Sequence, residues 1–403
     1  MSLDSTDILS QAPDGSVQVR IDADINDYLN YASWQNSVPL IRSLEIVNPT
    51  ETTLNDLVLE LEITPGFARS RKWIIDRLEG KGSHLIRDRH LEMEGAYLSG
   101  LNEAERGDLV FRLSHRDKLL CELRKPLRVL ARDEWGGMNS MPEILAAFVM
   151  PNDPAIPPLL KSSSAILVKH GHSSALDGYQ SKDPQKVFLQ VAALWSAISE
   201  KNLTYANPPS SFEEVGQKVR RPSRVIKEGL ATCLDSTLLF ASALEAMGLH
   251  PVIVMQRGHC FVGVWLIEDT LDRLIEPECL EIRKARSLSE MILFETTMIT
   301  QQPAVSLDQA MERADFEIRE SEEQSFYAAI DIKRARMVQV RPLASHDSEL
   351  VSTEQLARVA PALPTFPGLG DAGLTFGGGE EEEKPTTPDS RIDRWQRKLL
   401  DLS

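Results

Sequence analysis

Residues 229–240, GLATCLDSTLLF, set one cysteine between small residues and an apolar run. Thr232 or Cys233 itself can start a helix there. Cys233, Thr237, Phe240, Ala241 and Leu244 then recur at helical spacing, and Gly248 ends the run. HPVIVMQRGHCFVGVWLIED (250–269) follows and reads as two adjoining strands broken at Arg257–Gly258. EMILFETTMIT (290–300) reads as a third strand. A helix followed by antiparallel strands predicts an α+β domain.

The same stretch carries chemistry. A helix start offers free backbone N–H groups, which favour a thiolate. A nearby imidazole completes the activation as a thiolate–imidazolium pair, and a third polar group fixes the imidazole. Cys233 sits at the expected helix start and His259 heads a strand. Carboxylates follow at Glu276 (LIEPE) and Glu295 (LFETT). If neighbouring strands carry His259 and Glu295 on one face, the two side chains meet. Cysteine is also among the most buried residue types, so spacing alone leaves open a small core residue at Cys233.

Working outward, residues 1–35 are polar and acidic and read as a loosely held lead-in. From 36 to 131 the pattern alternates, in LIRSLEIVN, LNDLVLELEITPGF and GDLVFRLSHRDKLLCELRKPLRVLA. That predicts an antiparallel, Ig-like β-sandwich without a catalytic constellation. Residues 132–342 form the α+β domain. It opens on a short helix around Leu145, Ala146 and Phe148 stopped by Pro151. An amphipathic helix over 184–200 follows, and NLTYANPP (202–209) reads as a loop. A helix in SLDQAMERADFEIRES and a strand-like YAAIDIKRARMVQVRPL close it. Residues 343–388, rich in Pro, Gly and Glu, read as a disordered linker. Residues 389–403 read as the start of a further amphipathic helix, so the chain is expected to be the front of a longer polypeptide.

Composition narrows the function classes. The 403 residues hold 44 Lys and Arg against 60 Asp and Glu, a formal net charge of −16. Such a surface repels phosphate backbones. QKVRRPSRVIKEG (217–229) is the best basic patch and reads as a solvated loop. No signal peptide and no apolar run near the roughly 18 residues of a membrane span is visible. The four cysteines, Cys121, Cys233, Cys260 and Cys279, form no C-x-x-C pair, which fits a reducing cytoplasm. No cofactor is implied. KHGH (169–172) puts two histidines off any common helix face, so no metal is expected there. A zinc site from Cys233, His259, Cys260 and Cys279 would need strand neighbours 259 and 260 to point the same way, against the pleat.

TCLDSTLLFASALEAMGLHPVIVMQRGHCFVGVWL (232–266) resembles the core of the transglutaminase-like cysteine hydrolase superfamily. The resemblance implies a papain-like α+β fold, with Cys233 as nucleophile and His259 as its base. The family's Asp position is filled here by a Glu; Glu295 fits it better than Glu276. NLTYANPP resembles the family's lead-in to the cysteine. The family's oxyanion site is an upstream Gln or a backbone N–H, for which Gln217 and the Cys233 N–H are candidates.

A broader likeness rests on EWGGMNSMPEILAAFVMPNDPAI, GYQSKDP, PPSSFEEVGQKVRRP, IDIKRARMVQVRPL and RIDRWQRKLLDLS. These are similar to the N-terminal region of large bacterial proteins that carry a superfamily-one helicase. That likeness implies a role in nucleic-acid processing or anti-phage defence, with helicase domains as partners. No P-loop occurs in this chain. Two readings result. One is a cysteine hydrolase acting on a protein or peptide. The other is a catalytically silent module that docks a partner for a helicase.

Overall fold

Strand alternation builds the first part of the chain. The structure, a computed structural model, describes residues 19–116 and 118–344. They are mixed α+β and fall into two units, residues 19–144 with 214–219 and residues 145–213 with 220–344. Residues 1–18, most of the expected linker 343–388 and the expected helix in 389–403 lie outside the described residues.

Two sheets of the first unit are built from β1 (Arg20–Ile25), β2 (Tyr28–Leu29), β3 (Ile41–Asn48), β4 (Leu54–Thr64), β5 (Arg71–Leu78), β6 (Gly82–Leu85), β7 (Glu105–His115) and β8 (Lys118–Val129). They form a three-stranded sheet, β1-β3-β6, and a five-stranded sheet, β2-β8-β7-β4-β5. All pairs are antiparallel except β2 with β8. The pleat explains the pattern. Leu57, Leu59, Leu61 and Ile63 of β4 are buried, while the glutamates between them face outward. Burying each such leucine contributes roughly 2 kcal/mol.

Two expectations are corrected here. Residues 20–35 are not a loose lead-in, because β1 pairs along β3 with Ile21 opposite Ile46. Asp22 and Asp24 hid that alternation; they lie on the outer face beside Arg20 and Arg42. Nor is 132–342 one contiguous domain. Glu134–Trp135 pairs with Gln217–Lys218, so residues 214–219 belong with the first unit.

The second unit runs through α1 (Ile156–Lys169), α2 (Pro184–Ser199), β9 (Thr204–Tyr205), α3 (Pro222–Glu228), β10 (Leu230–Ala231) and α4 (Cys233–Ala246). It continues through β11 (Pro251–Gln256), β12 (His259–Trp265), β13 (Ile275–Glu276), α5 (Cys279–Ser287), β14 (Met291–Phe294), α6 (Leu307–Glu317), β15 (Phe326–Asp331) and α7 (Ile332–Met337). Its sheet has the order β13-β15-β11-β12-β14, antiparallel throughout. Helix α4 packs on β11 and β12. On the other face Val252, Val254, Phe261 and Leu293 meet Cys279, Ile282 and Ala285 of α5 and Ala314 of α6. With both faces covered, β11 is buried at every position and reads as a continuous apolar run.

Three local readings change. The stretch 290–300 is a strand only to Phe294; a 3-10 turn over Thr296–Thr300 follows, capped by Glu295. The strand expected in 327–343 ends at Asp331, whose side chain accepts from Arg334 N at 2.7 Å and starts α7. Leu145, Ala146 and Phe148 lie in a 3-10 segment, Pro142–Phe148.

Candidate active site

Thr232 sets where α4 begins. Its hydroxyl accepts from Asp235 N at 3.1 Å, and the Asp235 carboxylate accepts from Thr232 N at 2.9 Å, a reciprocal capping box. Asp235 is fully buried and also accepts from Arg220 N at 2.7 Å and Arg220 Nη1 at 3.0 Å. The basic stretch 217–229 therefore braces this helix start, and Arg224 and Arg220 also pair with Glu228. As the first helical residue, Cys233 has a backbone N–H with no carbonyl one turn earlier to bond.

A hydroxyl network ties the first turn of α4 to the end of β14. Ser236 Oγ and Thr237 Oγ1 each lie 3.0 Å from Thr296 Oγ1. Thr237 also donates to Cys260 O at 3.3 Å. All three hydroxyl residues are fully buried. The network holds the cysteine helix against the residue that follows Glu295. Sequence reasoning missed it; the only signal was two adjacent hydroxyl residues one turn after Cys233.

His259 follows Gly258, whose left-handed φ of 71° closes the β11–β12 turn. Its Nε2 lies 2.5 Å from Glu295 Oε2. The other Glu295 oxygen accepts from Thr297 N at 2.9 Å and Thr297 Oγ1 at 2.7 Å. Both carboxylate oxygens are therefore held in a site only 3% exposed. With Nε2 committed to Glu295, Nδ1 is the ring nitrogen left to face Cys233, whose thiolate raises His259.

The electrostatics agree with the geometry. The Cys233 thiol is lowered to about 6 by the Cys260 thiol that hydrogen-bonds it and, against burial, by the His259 hydrogen bond and charge. Burial opposes charge on His259, yet its bonds to Cys233 and Glu295 raise it to about 10. Burial likewise opposes charge on Glu295, but His259 and Thr297 hold it below the usual carboxylate range. Burial keeps Cys260 protonated, so toward the Cys233 sulfur it can act only as a donor, with the one proton that it also directs at Thr237 Oγ1, 3.7 Å from its sulfur. At neutral pH the site is a thiolate–imidazolium pair with an ionised carboxylate behind it.

Cys260 corrects the pleat argument. Residues 259 and 260 both reach Cys233, because His259 leaves the turn at the first strand position while Cys260 faces α4, its sulfur 3.7 Å from Thr237 Oγ1. The zinc quartet still does not assemble. Cys279 starts α5 and donates to Ile318 O. No group of three or more His, Cys, Asp or Glu is placed to hold a metal among the described residues.

Other candidates lie elsewhere. Glu276 sits on edge strand β13, separated from β12 by β15 and β11, and accepts from Glu278 N at 3.0 Å. Gln217 pairs with Trp135 in the first unit. His170 and His172 follow the end of α1 and are exposed. A residue that sequence reasoning left in a loop does join the site. Tyr205, on β9 opposite Ala231, is close enough to Cys233 that, beyond burial, the thiolate's charge raises its phenol.

No protein-family model matches the chain, and no curated protein is similar to it. Among the described residues, no helix is long and apolar enough to cross a membrane.

Proposed function

We propose that the second unit is a cysteine hydrolase of the transglutaminase-like, papain-like kind, cleaving an amide bond in a protein or peptide. The observation that supports this reading is the His259 Nε2–Glu295 Oε2 contact at 2.5 Å, beside a Cys233 thiol that His259 helps to lower. In this reading the thiolate attacks the carbonyl carbon and forms a C–S bond. The imidazolium of His259 gives its proton to the leaving amine as the C–N bond breaks. The neutral imidazole then takes a proton from water, which attacks the thioester and frees Cys233. Glu295 keeps the ring oriented and stabilises its cationic form. An amine in place of water would make the same site a transferase. The first unit is proposed as an Ig-like sandwich. The resemblance to helicase-bearing defence proteins supports placing this hydrolase beside a nucleic-acid motor, on the same chain or a partner.

A silent docking module is the second reading, favoured by the complete burial of Cys233. One experiment decides between them. The rate of Cys233 alkylation by iodoacetamide is followed against pH by peptide mass spectrometry, in the wild type and in His259→Ala. The hydrolase reading expects a rate midpoint near pH 6, with a plateau above it, that moves to pH 8.5 or above, the ordinary range of a free thiol, in the variant. Slow alkylation with an ordinary or higher midpoint in both proteins would leave the docking module.

A further inference from the structure

The triad chemistry gives Thr296 no part, although it directly follows Glu295. Cys233, Ser236 and Thr237 are spaced by three and four in the first turn of α4, so they share one face of the helix. Thr296 meets that face. Its Oγ1 lies 3.0 Å from Ser236 Oγ and 3.0 Å from Thr237 Oγ1. Glu295, one residue earlier, sends its side chain to His259 Nε2 at 2.5 Å. Glu295 N donates to Ala310 O at 2.9 Å, which ties that residue to α6 rather than to α4. The Thr296 hydroxyl therefore bridges the two sides of the site, the helix that carries the sulfur and the turn that carries the carboxylate.

Counting protons shows why this bridge needs a hydroxyl. Ser236 donates into its own turn, to Thr232 O at 3.1 Å and Cys233 O at 3.0 Å, so toward Thr296 it is an acceptor. Thr296 supplies that proton. Toward Thr237 it then offers a lone pair, and the Thr237 proton has Thr296 Oγ1 and Cys260 O, at 3.0 and 3.3 Å, as its acceptors. Position 296 must donate on one side and accept on the other. All three hydroxyl residues are fully buried, so a lost bond is not made up by solvent. We propose that Thr296 is a positioning residue of this site, whose hydroxyl holds the Glu295 carboxylate in register with His259 and with the face of α4 that carries Cys233. Without it the turn and the helix shift apart. The carboxylate then supports the imidazolium less well, and the imidazolium supports the thiolate less well.

This rests on Cys233 being an activated nucleophile, and the test separates the two claims. Cys233 alkylation by iodoacetamide is followed against pH in the full chain, and Tm is measured beside it. Thr296→Val keeps the branched shape and removes the hydroxyl. It is expected to raise the alkylation midpoint by about 0.5 to 1 pH unit, the equivalent of one net hydrogen bond. Alkylation at pH 6 would then be about two- to fivefold slower, and the plateau rate would stay within about twofold. Thr296→Ser, which keeps the hydroxyl, is expected to bring the midpoint back toward the wild type. Thr237→Val removes the far end of the bridge, should shift the midpoint the same way, and carries the test if Thr296→Val does not fold. Ser242 is the control, a fully buried hydroxyl later in α4 that donates to Leu238 O at 2.6 Å and accepts from Met150 N at 2.8 Å. Ser242→Ala should lower Tm and leave the midpoint in place. A lower Tm with an unmoved midpoint in Thr296→Val would overturn the proposal and make Thr296 purely structural. Equal shifts in Thr296→Val and Thr296→Ser would overturn it in favour of methyl packing, and an equal shift in Ser242→Ala in favour of general loosening. A wild-type midpoint at about 8.5 or above, unchanged by His259→Ala, would bring down the hydrolase reading and this proposal with it.

Discussion

Cys260 is next to His259 in sequence and acts on Cys233, the proposed nucleophile, without being one. Its buried thiol stays protonated, lies 3.7 Å from Thr237 Oγ1, and lowers the neighbouring Cys233 thiol. The signs of the two linked titrations follow. Cys233 lies below its ordinary 9.0, so its contribution to stability is full above pH 9 and is lost as pH falls through about 6. His259 lies above its ordinary 6.5, so its contribution is full below pH 6.5 and is lost as pH rises through about 10. Acyl transfer needs both charges, which predicts a bell between about 6 and 10, both limbs belonging to the pair. Replacing Cys260 by alanine removes a donor to the charged form and moves the acid limb upward. A net hydrogen bond of about 1 kcal/mol corresponds to alkylation about threefold slower at pH 6, with no change on the plateau. Cys260→Ser, which keeps a donor, is expected to stay closer to the wild type. An acid limb that does not move in Cys260→Ala would assign the low thiol value to His259 alone.

The elements that carry the triad are joined by an aromatic cluster. Trp195 of α2 stacks on Phe240 of α4 at 5.6 Å, and Phe294 of β14 meets both edge-on, at 5.8 and 5.2 Å. Phe240 lies on the helix that Cys233 begins, and Phe294 precedes Glu295. Phe240→Ala opens a cavity among fully buried rings and is expected to cost about 3–5 kcal/mol, lowering Tm by roughly 6–20 °C. Because the cavity lies between the cysteine helix and the carboxylate strand, Cys233 alkylation at pH 6 should slow as well. Thermal unfolding together with the alkylation rate checks both, and a stable variant with wild-type Tm would show that the cluster packs loosely. Helix α4 was legible because the small residues before Thr232 mark a boundary and the apolar spacing that follows is helical, while the cap that Asp235 completes emerged only in the structure. Strands β4, β11 and β12 were legible from alternation or from a continuous apolar run. Strand β1 was not, since its outward aspartates look like a solvated tail. Glu295 was selected from a run read wholly as strand, whereas its side chain is oriented by capping the turn that ends that strand. Tyr205 was hidden because its place depends on two strands of two residues each, pairing in parallel across a long stretch of sequence. No periodicity reports such a pairing.

At the scale of the whole molecule, charge bears on what the protein touches. A formal net charge of −16 and a sequence pI near 5.1 surround the site with a field that repels phosphate. The one basic stretch singled out in the sequence, 217–229, spends its charge internally. Arg220 is bound to Asp235 and Glu228, Arg224 to Glu228, and Lys218 to Glu103. Freeing Arg220 to meet a phosphate would leave the fully buried Asp235 carboxylate short of a partner at the start of the cysteine helix, a loss of order 1–3 kcal/mol. Any affinity of this chain for nucleic acid would therefore be weak, and a neighbouring motor would have to supply the grip. The prediction is that a fluorescein-labelled duplex shows no saturable anisotropy change with the purified chain at physiological salt, its Kd lying above roughly 10⁻⁴ M, the weak limit of ordinary non-specific binding. Lowering the salt tests the electrostatic argument directly. Repulsion between like charges grows as screening falls, so binding should not appear. Saturable binding that strengthens at low salt would mean that a local basic surface overrides the net charge, and the search for a substrate would then move from peptides alone to protein bound on nucleic acid.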